Sequence, residues 1–368
     1  MGTELRLAVA LDGTGWHPDG GDGQDGGQGG GQGGGPDPRP LSARHWTGLV
    51  LEAERGGIDL VTFEDTLGHR ANQLDSLLVA ARVAPLTSRI GLVPTAITTH
   101  TEPFHLSKAV ATLDHVSLGR AGVRLRVDGD PATARHFGRR DLPPLPRSGR
   151  PDDAVVADLF AEARDYAEVL RRLWDSWEDD AEIRDVATGR FVDRDKLHHI
   201  DFRGGHFAVK GPSITPRPPQ GNPPIAVLAH DAERPHRLAR ESADLVFTTP
   251  RDAADVRRTG AEIGRARHFA DVVVAFHDDR DLTSDALVHT GGPAELADLA
   301  QEWHEAGAFG LRLRPARLPR DLAAITGELV PELRRRGLVP AEPRPATTLR
   351  GLLDLPRPAN RYAAPRGA

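Results

Sequence analysis

Short apolar runs alternate with longer amphipathic stretches along most of the chain. The apolar runs are centred near residues 7, 60, 92, 125, 226, 246, 274 and 312. Helical periodicity fills much of the space between them, notably over 41–57, 74–86, 105–118 and 154–177. Strands separated by helices favour parallel pairing, and eight such units predict an α/β fold, a (β/α)8 TIM barrel. An open doubly wound sheet is the alternative, but no glycine-rich dinucleotide fingerprint follows the first strand.

Two segments interrupt this alternation. Residues 14–40 are a low-complexity stretch rich in glycine, which predicts a flexible loop after strand one. Residues 178–224 break the rhythm and predict an insertion after the fourth helix. We expect one domain over 1–368, with a C-terminal extension over 340–368.

Composition excludes several classes of protein. The net charge of −6 does not indicate a nucleic-acid-binding protein. The chain has no cysteine, which excludes disulfides, thiolate metal sites and thiol catalysis. No apolar run approaches the ~18 residues that span a bilayer, and no signal peptide is visible. We therefore expect a cytoplasmic protein without nucleic-acid or membrane partners.

Polar residues follow several of the predicted strands, where a barrel places its chemistry. Imidazole and carboxylate groups at these positions raise the possibility of a metal site, although none shows ligand spacing such as His-x-His. The candidates are His17, Asp65, His100, Asp231 and His277. Exposed polar loops explain the same residues more simply, and we expect no metal.

Two other features carry a structural interpretation. Adjacent residues of a strand point to opposite faces, so His198 and His199 are not expected to bind one ion together. Trp174 and Trp177 lie three residues apart on a predicted helix, which places both rings on one side. We expect the tryptophans to serve core or lid packing and the histidines to be ordinary surface or packing residues.

Four long stretches resemble the luciferase-like flavin-dependent monooxygenase superfamily. They are AERGGIDLVTFED (53–65), 86–122, 166–229 and TTLRGLLDLPRPANRY (347–362). The third contains LWDSW, then HF-x-V-x-GP, then RPPQG, an order similar to that of the nitrilotriacetate, pristinamycin-synthase and dibenzothiophene-sulfone monooxygenase branch. The family fold is a (β/α)8 barrel, in agreement with the strand count.

The resemblance implies a two-component enzyme. A separate flavin reductase supplies reduced FMN, which binds at the barrel mouth and reacts with O2 to give a C4a-(hydro)peroxyflavin. This species oxidises a small organic substrate. Relatives form oligomers, so we expect a homo-oligomer. The resemblance identifies no catalytic residue.

The cofactor-binding positions implied by the resemblance lie at strand ends and on the long helix. The acidic residue ending strand two is kept, strand three keeps its threonines, and Asp128 ends strand four in place of a serine. The family's His-x-x-x-Tyr pair aligns with apolar residues, and its Ala-Gly-Ser-Ser phosphate grip aligns with residues 229–232. The full set is Asp65, Thr95, Thr98, Thr99, Asp128, Val156, Phe160, His230, Asp231 and Ala232.

The phosphate position departs most from the family pattern. A helix beginning at the end of a strand favours an anion, but here His230 and Asp231 align with the glycine and a serine of the grip, and the acidic Glu233 follows. Like charges about 4–5 Å apart cost on the order of a few kcal/mol in a partly buried site. An alternative hypothesis is therefore a non-catalytic or cofactor-altered relative with an eroded flavin phosphate site. Use of a deazaflavin on the same fold is a third hypothesis.

Overall fold

Eight parallel strands close into a barrel in the computed structural model, which describes residues 4–17, 40–68, 73–143, 153–229, 233–276 and 282–363. The strands follow each other around the barrel in chain order, and the last pairs with the first. They are β1 (Arg6–Leu11), β2 (Leu60–Phe63), β3 (Gly91–Ile97), β4 (Val123–Arg126), β9 (Ile225–Ala229), β10 (Leu245–Thr248), β11 (Arg267–Val274) and β13 (Gly310–Pro315). Each contains or adjoins one predicted apolar run, so the predicted fold class is confirmed.

Helices surround the barrel, and the first, second, third and fifth match the predicted amphipathic stretches to within a few residues. Gly57 ends the first helix in the left-handed conformation, at φ 91°, and Asp75 caps the second by accepting from the Leu78 N–H. The fourth was not predicted. The helices are α1 (Ala43–Gly56), α2 (Ser76–Val83), α3 (Pro103–Val116), α4 (Pro131–Phe137), α5 (Asp153–Asp175), α6 (Glu233–Ser242), α7 (Ala253–Ile263), α8 (Pro293–Glu305), α9 (Arg320–Ala324), α10 (Val330–Arg335) and α11 (Leu349–Leu352).

The structure also contains several shorter elements besides the eight barrel strands and the helices. Two antiparallel ribbons lie between α5 and β9, in the segment predicted as an insertion. A further strand pairs in parallel with β11. These elements are β5 (Glu182–Asp185), β6 (Arg190–Val192), β7 (Phe202–Arg203), β8 (Ala208–Val209), β12 (Leu287–His289), 3-10 turns at Ala84–Leu86 and Arg194–Lys196, and a π-helix at Ile325–Leu329.

The predicted packing residues have structural roles. Trp174 and Trp177 are buried, and their indole N–H groups donate to the carbonyls of Ser107 and Ser213. His198 lies 2.8 Å from a carboxylate oxygen of Glu178, whereas His199 contacts the Gly211 carbonyl. The packing role of the tryptophans is confirmed, and the two histidines have separate partners.

Apolar side chains predominate in the lower half of the barrel interior. Here the lower layer means the buried side chains that meet at the N-terminal end of the strands. Residues of α11 and the turn after it complete this layer from below. Its buried members are Ala8, Leu60, Val93, Ala226, Leu245, Phe247, Phe269, Leu349, Leu352 and Leu353. The C-terminal segment therefore closes the bottom of the barrel, which a TIM barrel must otherwise fill with its own side chains.

The last described residues tie this closure to the segment before β9. We call residues 348–362 the C-terminal strap. Arg350 donates to the Asn222 carbonyl at 2.6 Å and to Asp244 at 3.2 Å. Arg357 pairs with Asp179, and Asn360 donates to the carbonyls of Asp175 and Trp177. The PRPANRY stretch thus serves as a docking segment within the chain.

The elements described above do not test the predicted glycine-rich loop or the predicted single-domain organisation. Most of the glycine-rich segment occupies residues 18–39, outside the described residues. The single-domain organisation stays a prediction. In the ranges that the structure describes, no helix is long and apolar enough to cross a membrane.

Candidate functional site

A cavity of about 460 Å³ opens at the C-terminal ends of the barrel strands. Strands β4, β9 and β13 and the segments just after β1 and β2 contribute to its walls, together with α5, α6 and the loop before β12. Its charged residues are Asp12, Glu64, Asp65, Arg124, Arg126, Asp285 and Arg314. Its remaining residues are Trp16, Leu125, Val127, Phe160, Leu228, Pro235 and Leu238. The cavity therefore combines a charged wall and an apolar wall at the end where barrel enzymes carry their chemistry.

Ion pairs continue from the charged wall into the barrel. Glu64, just after β2, accepts from Arg124 of β4 at 2.5 Å and from Arg312 of β13 at 2.6 Å. Arg124 also donates through Nε to the Thr95 hydroxyl at 3.0 Å, and Arg312 donates to the Thr62 hydroxyl at 3.1 Å. These contacts fix one carboxylate between two guanidinium groups.

A second carboxylate links the same strands on the other side. Asp271 of β11 accepts from Arg312 at 3.1 Å and from Nε of Arg314 at 2.8 Å. Arg314 in turn donates to Asp285 at 2.7 Å. Together with the previous contacts, these pairs join three arginines and three carboxylates. We call this set the upper layer: Glu64, Arg124, Asp271, Asp285, Arg312 and Arg314.

The upper layer holds fixed charges. Burial disfavours ionisation of Glu64, but Arg124, Arg312 and Arg314 outweigh it and lower the pKa of Glu64 to about 2. Burial lowers the pKa of Arg312 to about 10. Both groups are ionised at neutral pH, so they supply a preorganised electrostatic environment and do not exchange protons there.

The apolar wall is built by α5, β9 and α6. Leu238 of α6 belongs to a buried apolar cluster beneath this wall, and Phe160 of α5 packs against the same cluster. On the opposite side, the Arg314 guanidinium lies 5.7 Å from the centre of the Trp16 ring, a cation–π distance. A flat ligand in the cavity would therefore meet hydrocarbon on one side and charged groups on the other.

The structure brings some of the predicted cofactor-binding residues to this cavity. Asp65 and Phe160 line it. The Asp65 carboxylate accepts from the backbone N–H of Ser76 at 2.8 Å, and burial raises its pKa. Thr95 is buried beneath the cavity, where its hydroxyl donates to the Phe63 carbonyl and accepts from Arg124. Asp65 and Thr95 thus position neighbouring groups.

The other predicted residues are engaged elsewhere or lie outside the described ranges. The Thr98 hydroxyl donates to the Arg126 carbonyl, and Thr99 accepts from the Asp128 backbone N–H. Asp128 accepts in turn from the Asp130 N–H at 2.9 Å. Val156 is half-buried on α5. The structure does not describe His230, Asp231 and Ala232.

Sequence reasoning noted Arg314 as a polar residue at a strand end but did not select Arg124, Arg126 or Arg312 as site residues. Both strands contain Arg-Leu-Arg, Arg124 to Arg126 and Arg312 to Arg314. Alternate residues of a strand share a face, so each pair of arginines points to the same side of the sheet. The burial of Leu125 and Leu313 against the surrounding helical layer places the arginines on the interior face. This repeated tripeptide is the signal that could have identified the upper layer.

The described ranges contain no group of three or more His, Asp or Glu residues that could hold a metal ion. Of the five metal candidates considered above, Asp231 and His277 lie outside those ranges. His100 is buried and stacks on Phe137, with ring centres 5.3 Å apart.

Comparison with known proteins assigns the family. The model of the luciferase-like monooxygenase family matches residues 23–293. The chain belongs to this family. One of the pristinamycin IIA synthase polypeptides of Streptomyces pristinaespiralis is 30% identical over 322 residues, which cover 86% of this chain and 91% of the relative. The assignment made from sequence motifs is therefore confirmed: the chain is an enzyme of the luciferase-like flavin monooxygenase family.

Two further relatives extend over most of the chain. Component A of nitrilotriacetate monooxygenase from Aminobacter aminovorans is 27% identical over 435 residues, covering 89% of this chain and 93% of the relative. The structure of EDTA monooxygenase from Chelativorans sp. BNC1 matches with a TM-score of 0.77. It covers 96% of this chain and 99% of that chain at 20% identity, and it shows the shared fold.

Proposed function

We propose that this family member is the oxygenase of a two-component system that uses reduced FMN and O2 to oxidise a small organic substrate. The observation that carries the proposal is the cavity at the C-terminal end of the barrel, which has one apolar and one charged wall. A concave site of this kind, in a chain from a monooxygenase family, is the expected place for cofactor and substrate.

The described residues fit the ring system of a flavin. An isoalloxazine has a dimethylbenzene edge and a pyrimidine edge with carbonyl oxygens, so it needs apolar and hydrogen-bonding surface in one cavity. Phe160, Leu228 and Leu238 offer the apolar surface. Arg124 offers a donor on the opposite wall. These four residues would hold the ring, and the volume of about 460 Å³ accommodates it.

Bound reduced flavin would supply the activation of O2 and the transfer of an oxygen atom. The residues of this chain would bind, orient and shield the reactants. The apolar wall would exclude water from one side of the cavity. Glu64 and Thr95 hold Arg124 in one orientation, so its guanidinium group need not reorganise when a ligand binds.

The fit of the described residues does not extend to the phosphate group of the cofactor. Its expected position falls on residues 230–232, outside the described ranges. The α6 helix begins next to them at Glu233, and Arg234 pairs with Asp153 at 2.8 Å. The alternative of an eroded phosphate site in a non-catalytic or cofactor-altered relative stays a hypothesis, and flavin binding distinguishes the two.

An anaerobic titration with reduced FMN tests the proposed function. We expect saturation with a dissociation constant on the order of micromolar, equivalent to about −8 kcal/mol. Leu228→Trp should fill the cavity and abolish saturation. Leu78→Trp, at a position that is 67% exposed on α2, is the matched control and should bind as the wild type does. Absence of saturation at millimolar flavin in the wild type would contradict the proposal and favour the alternative.

We also propose the cellular setting implied by the family. The nitrilotriacetate monooxygenase and pristinamycin IIA synthase relatives are named as parts of multi-component enzymes. By analogy, a separate flavin reductase would deliver the reduced cofactor. Cytoplasmic location and a homo-oligomeric state belong to the same proposal.

A further inference from the structure

The arginines of β4 differ in how their hydrogen-bonding capacity is used. Arg124 is buried, with its Nε bonded to Thr95 and its Nη2 bonded to Glu64. Its Nη1 makes no hydrogen bond to any part of the chain that the structure describes. Since Arg124 lines the cavity, this third nitrogen is available to a ligand there.

Arg126 has more unused capacity. It lies two residues further along β4, on the same face, at the exposed rim of the cavity. Among the described residues, its guanidinium group makes one hydrogen bond, from Nη1 to the backbone carbonyl of Asp65 at 2.7 Å. Among the described residues no carboxylate forms an ion pair with it. Its positive charge is therefore not matched by a direct partner.

The nearby acids do not supply that partner. The carboxylates of Asp65 and Asp128 accept from the backbone N–H groups of Ser76 and Asp130. In the upper layer, three arginines are already paired with three carboxylates. Asp12 lies across the cavity just after β1, which is separated from β4 by β2 and β3. Arg126 thus adds a positive charge beside an upper layer whose arginines and carboxylates are already paired with each other.

We propose that Arg126, assisted by Nη1 of Arg124, binds an oxyanion group of a molecule in the cavity. A guanidinium group presents donors in a planar fork that matches the spacing of oxygens in a carboxylate or phosphate. The oxyanion is the phosphate of the flavin or a carboxylate of the substrate. The inference rests on the proposed function for the identity of the occupant, whereas the anion preference comes from the β4 arginines themselves.

Three probes separate the two sources. FMN carries a phosphate, riboflavin has the same ring system without it, and nitrilotriacetate carries carboxylates without a flavin. Their dissociation constants are measured by calorimetry for the wild type, Arg126→Gln and Arg335→Gln. Arg335 is an exposed arginine of α10, away from the cavity, and its variant controls for the loss of one positive charge.

We expect Arg126→Gln to weaken an anionic probe by roughly 10- to 100-fold, the effect of losing a charge-assisted hydrogen bond. Weaker FMN with unchanged riboflavin assigns the site to the flavin phosphate. Weaker nitrilotriacetate with both flavins unchanged assigns it to a substrate carboxylate. Arg126→Lys should recover part of the affinity, and Arg335→Gln should match the wild type.

Three results would overturn the proposal. One is unchanged binding of both anionic probes by Arg126→Gln. Another is an equal loss for FMN and riboflavin, because Arg126 would then contact the ring and not an oxyanion. The third is failure of the wild type to bind any of the three probes. If the wild type binds nitrilotriacetate but no flavin, the proposed function fails while the anion site is still tested.

Discussion

Two regions of this molecule, the upper layer and the C-terminal strap, contain buried arginines with different roles. In the upper layer, Arg124 is buried and keeps Nη1 without a hydrogen bond among the described residues, next to a cavity. In the C-terminal strap, Arg350 is also buried, but its Nε, Nη1 and Nη2 donate to Asn222, Pro356 and Asp244. The strap uses its arginine to join segments of chain, whereas the upper layer retains capacity for a ligand.

The two regions also differ in how deeply their ion pairs are buried. Charges that leave water lose solvation, and ion pairs in a protein interior recover it only when geometry is good. Arg312 and Asp271 are fully buried, while Asp179 and Arg357 of the strap network are 40% and 46% exposed. The upper layer is therefore a costly way to fill a barrel, which is consistent with a role in binding.

The largest expected effect is loss of a buried carboxylate. Asp271→Asn would leave Arg312 and Arg314 without their shared partner, so we expect the free energy of unfolding to fall by about 3–5 kcal/mol. Glu168→Gln, which weakens the partly exposed ion pair with Arg361 of the strap, should cost about 0–1 kcal/mol. Urea denaturation measures both, and equal losses would remove the energetic contrast between the regions.

The next effect concerns the closure of the barrel from below. Leu352→Ala removes a buried side chain from the lower layer, so we expect a loss of about 2–5 kcal/mol in the free energy of unfolding. Leu78→Ala is the exposed control and should change stability by less than about 0.5 kcal/mol. A similar loss at both positions would show that the strap does not complete the core.

Lowering the pH should remove the stability that the ionised Glu64 carboxylate contributes. Its folded pKa of about 2 lies below its usual value of 4.5, so it stabilises the fold above pH 4.5. That contribution, about 3 kcal/mol at most, is lost as the pH falls from 4.5 towards 2. The stability difference between wild type and Glu64→Gln should therefore narrow by about 2 kcal/mol between pH 6 and pH 3.

The exposed residue Glu305 provides the control for this acid test. The stability of Glu305→Gln relative to the wild type is measured at the same pH values for comparison. If the Glu64→Gln difference does not narrow, the arginines do not hold that carboxylate in its ionised form.

The smallest expected effect lies in the strap. Arg357 pairs with Asp179 through half-exposed groups, so Arg357→Gln should lower the free energy of unfolding by less than about 1 kcal/mol. Raising the salt concentration should reduce this loss further, because exposed ion pairs are screened. A loss in the free energy of unfolding as large as that expected for Asp271→Asn would show that the Arg357–Asp179 pair behaves like a buried ion pair.

Hydrophobic periodicity predicted the barrel because strands and helices bury apolar faces, and all eight barrel strands lie at predicted positions. The candidate site was harder to predict. Arg124 and Arg312 lie on interior positions that usually carry apolar side chains, so their role depends on contacts between distant strands. The short helix α4 was missed because its seven residues give too little periodicity. Its cap at Asp130 was the available signal.

The central claim is that the upper layer contributes to ligand binding and the lower layer does not. The most direct test is the dissociation constant of reduced FMN, measured anaerobically for wild type, Arg124→Gln and Leu352→Ala under conditions in which all three are folded. We expect Leu352→Ala to retain the wild-type affinity and Arg124→Gln, which removes a guanidinium group of the upper layer from the cavity wall, to lose about 10- to 100-fold. Equal affinity of Arg124→Gln and the wild type, or an equal loss in both variants, would contradict the account.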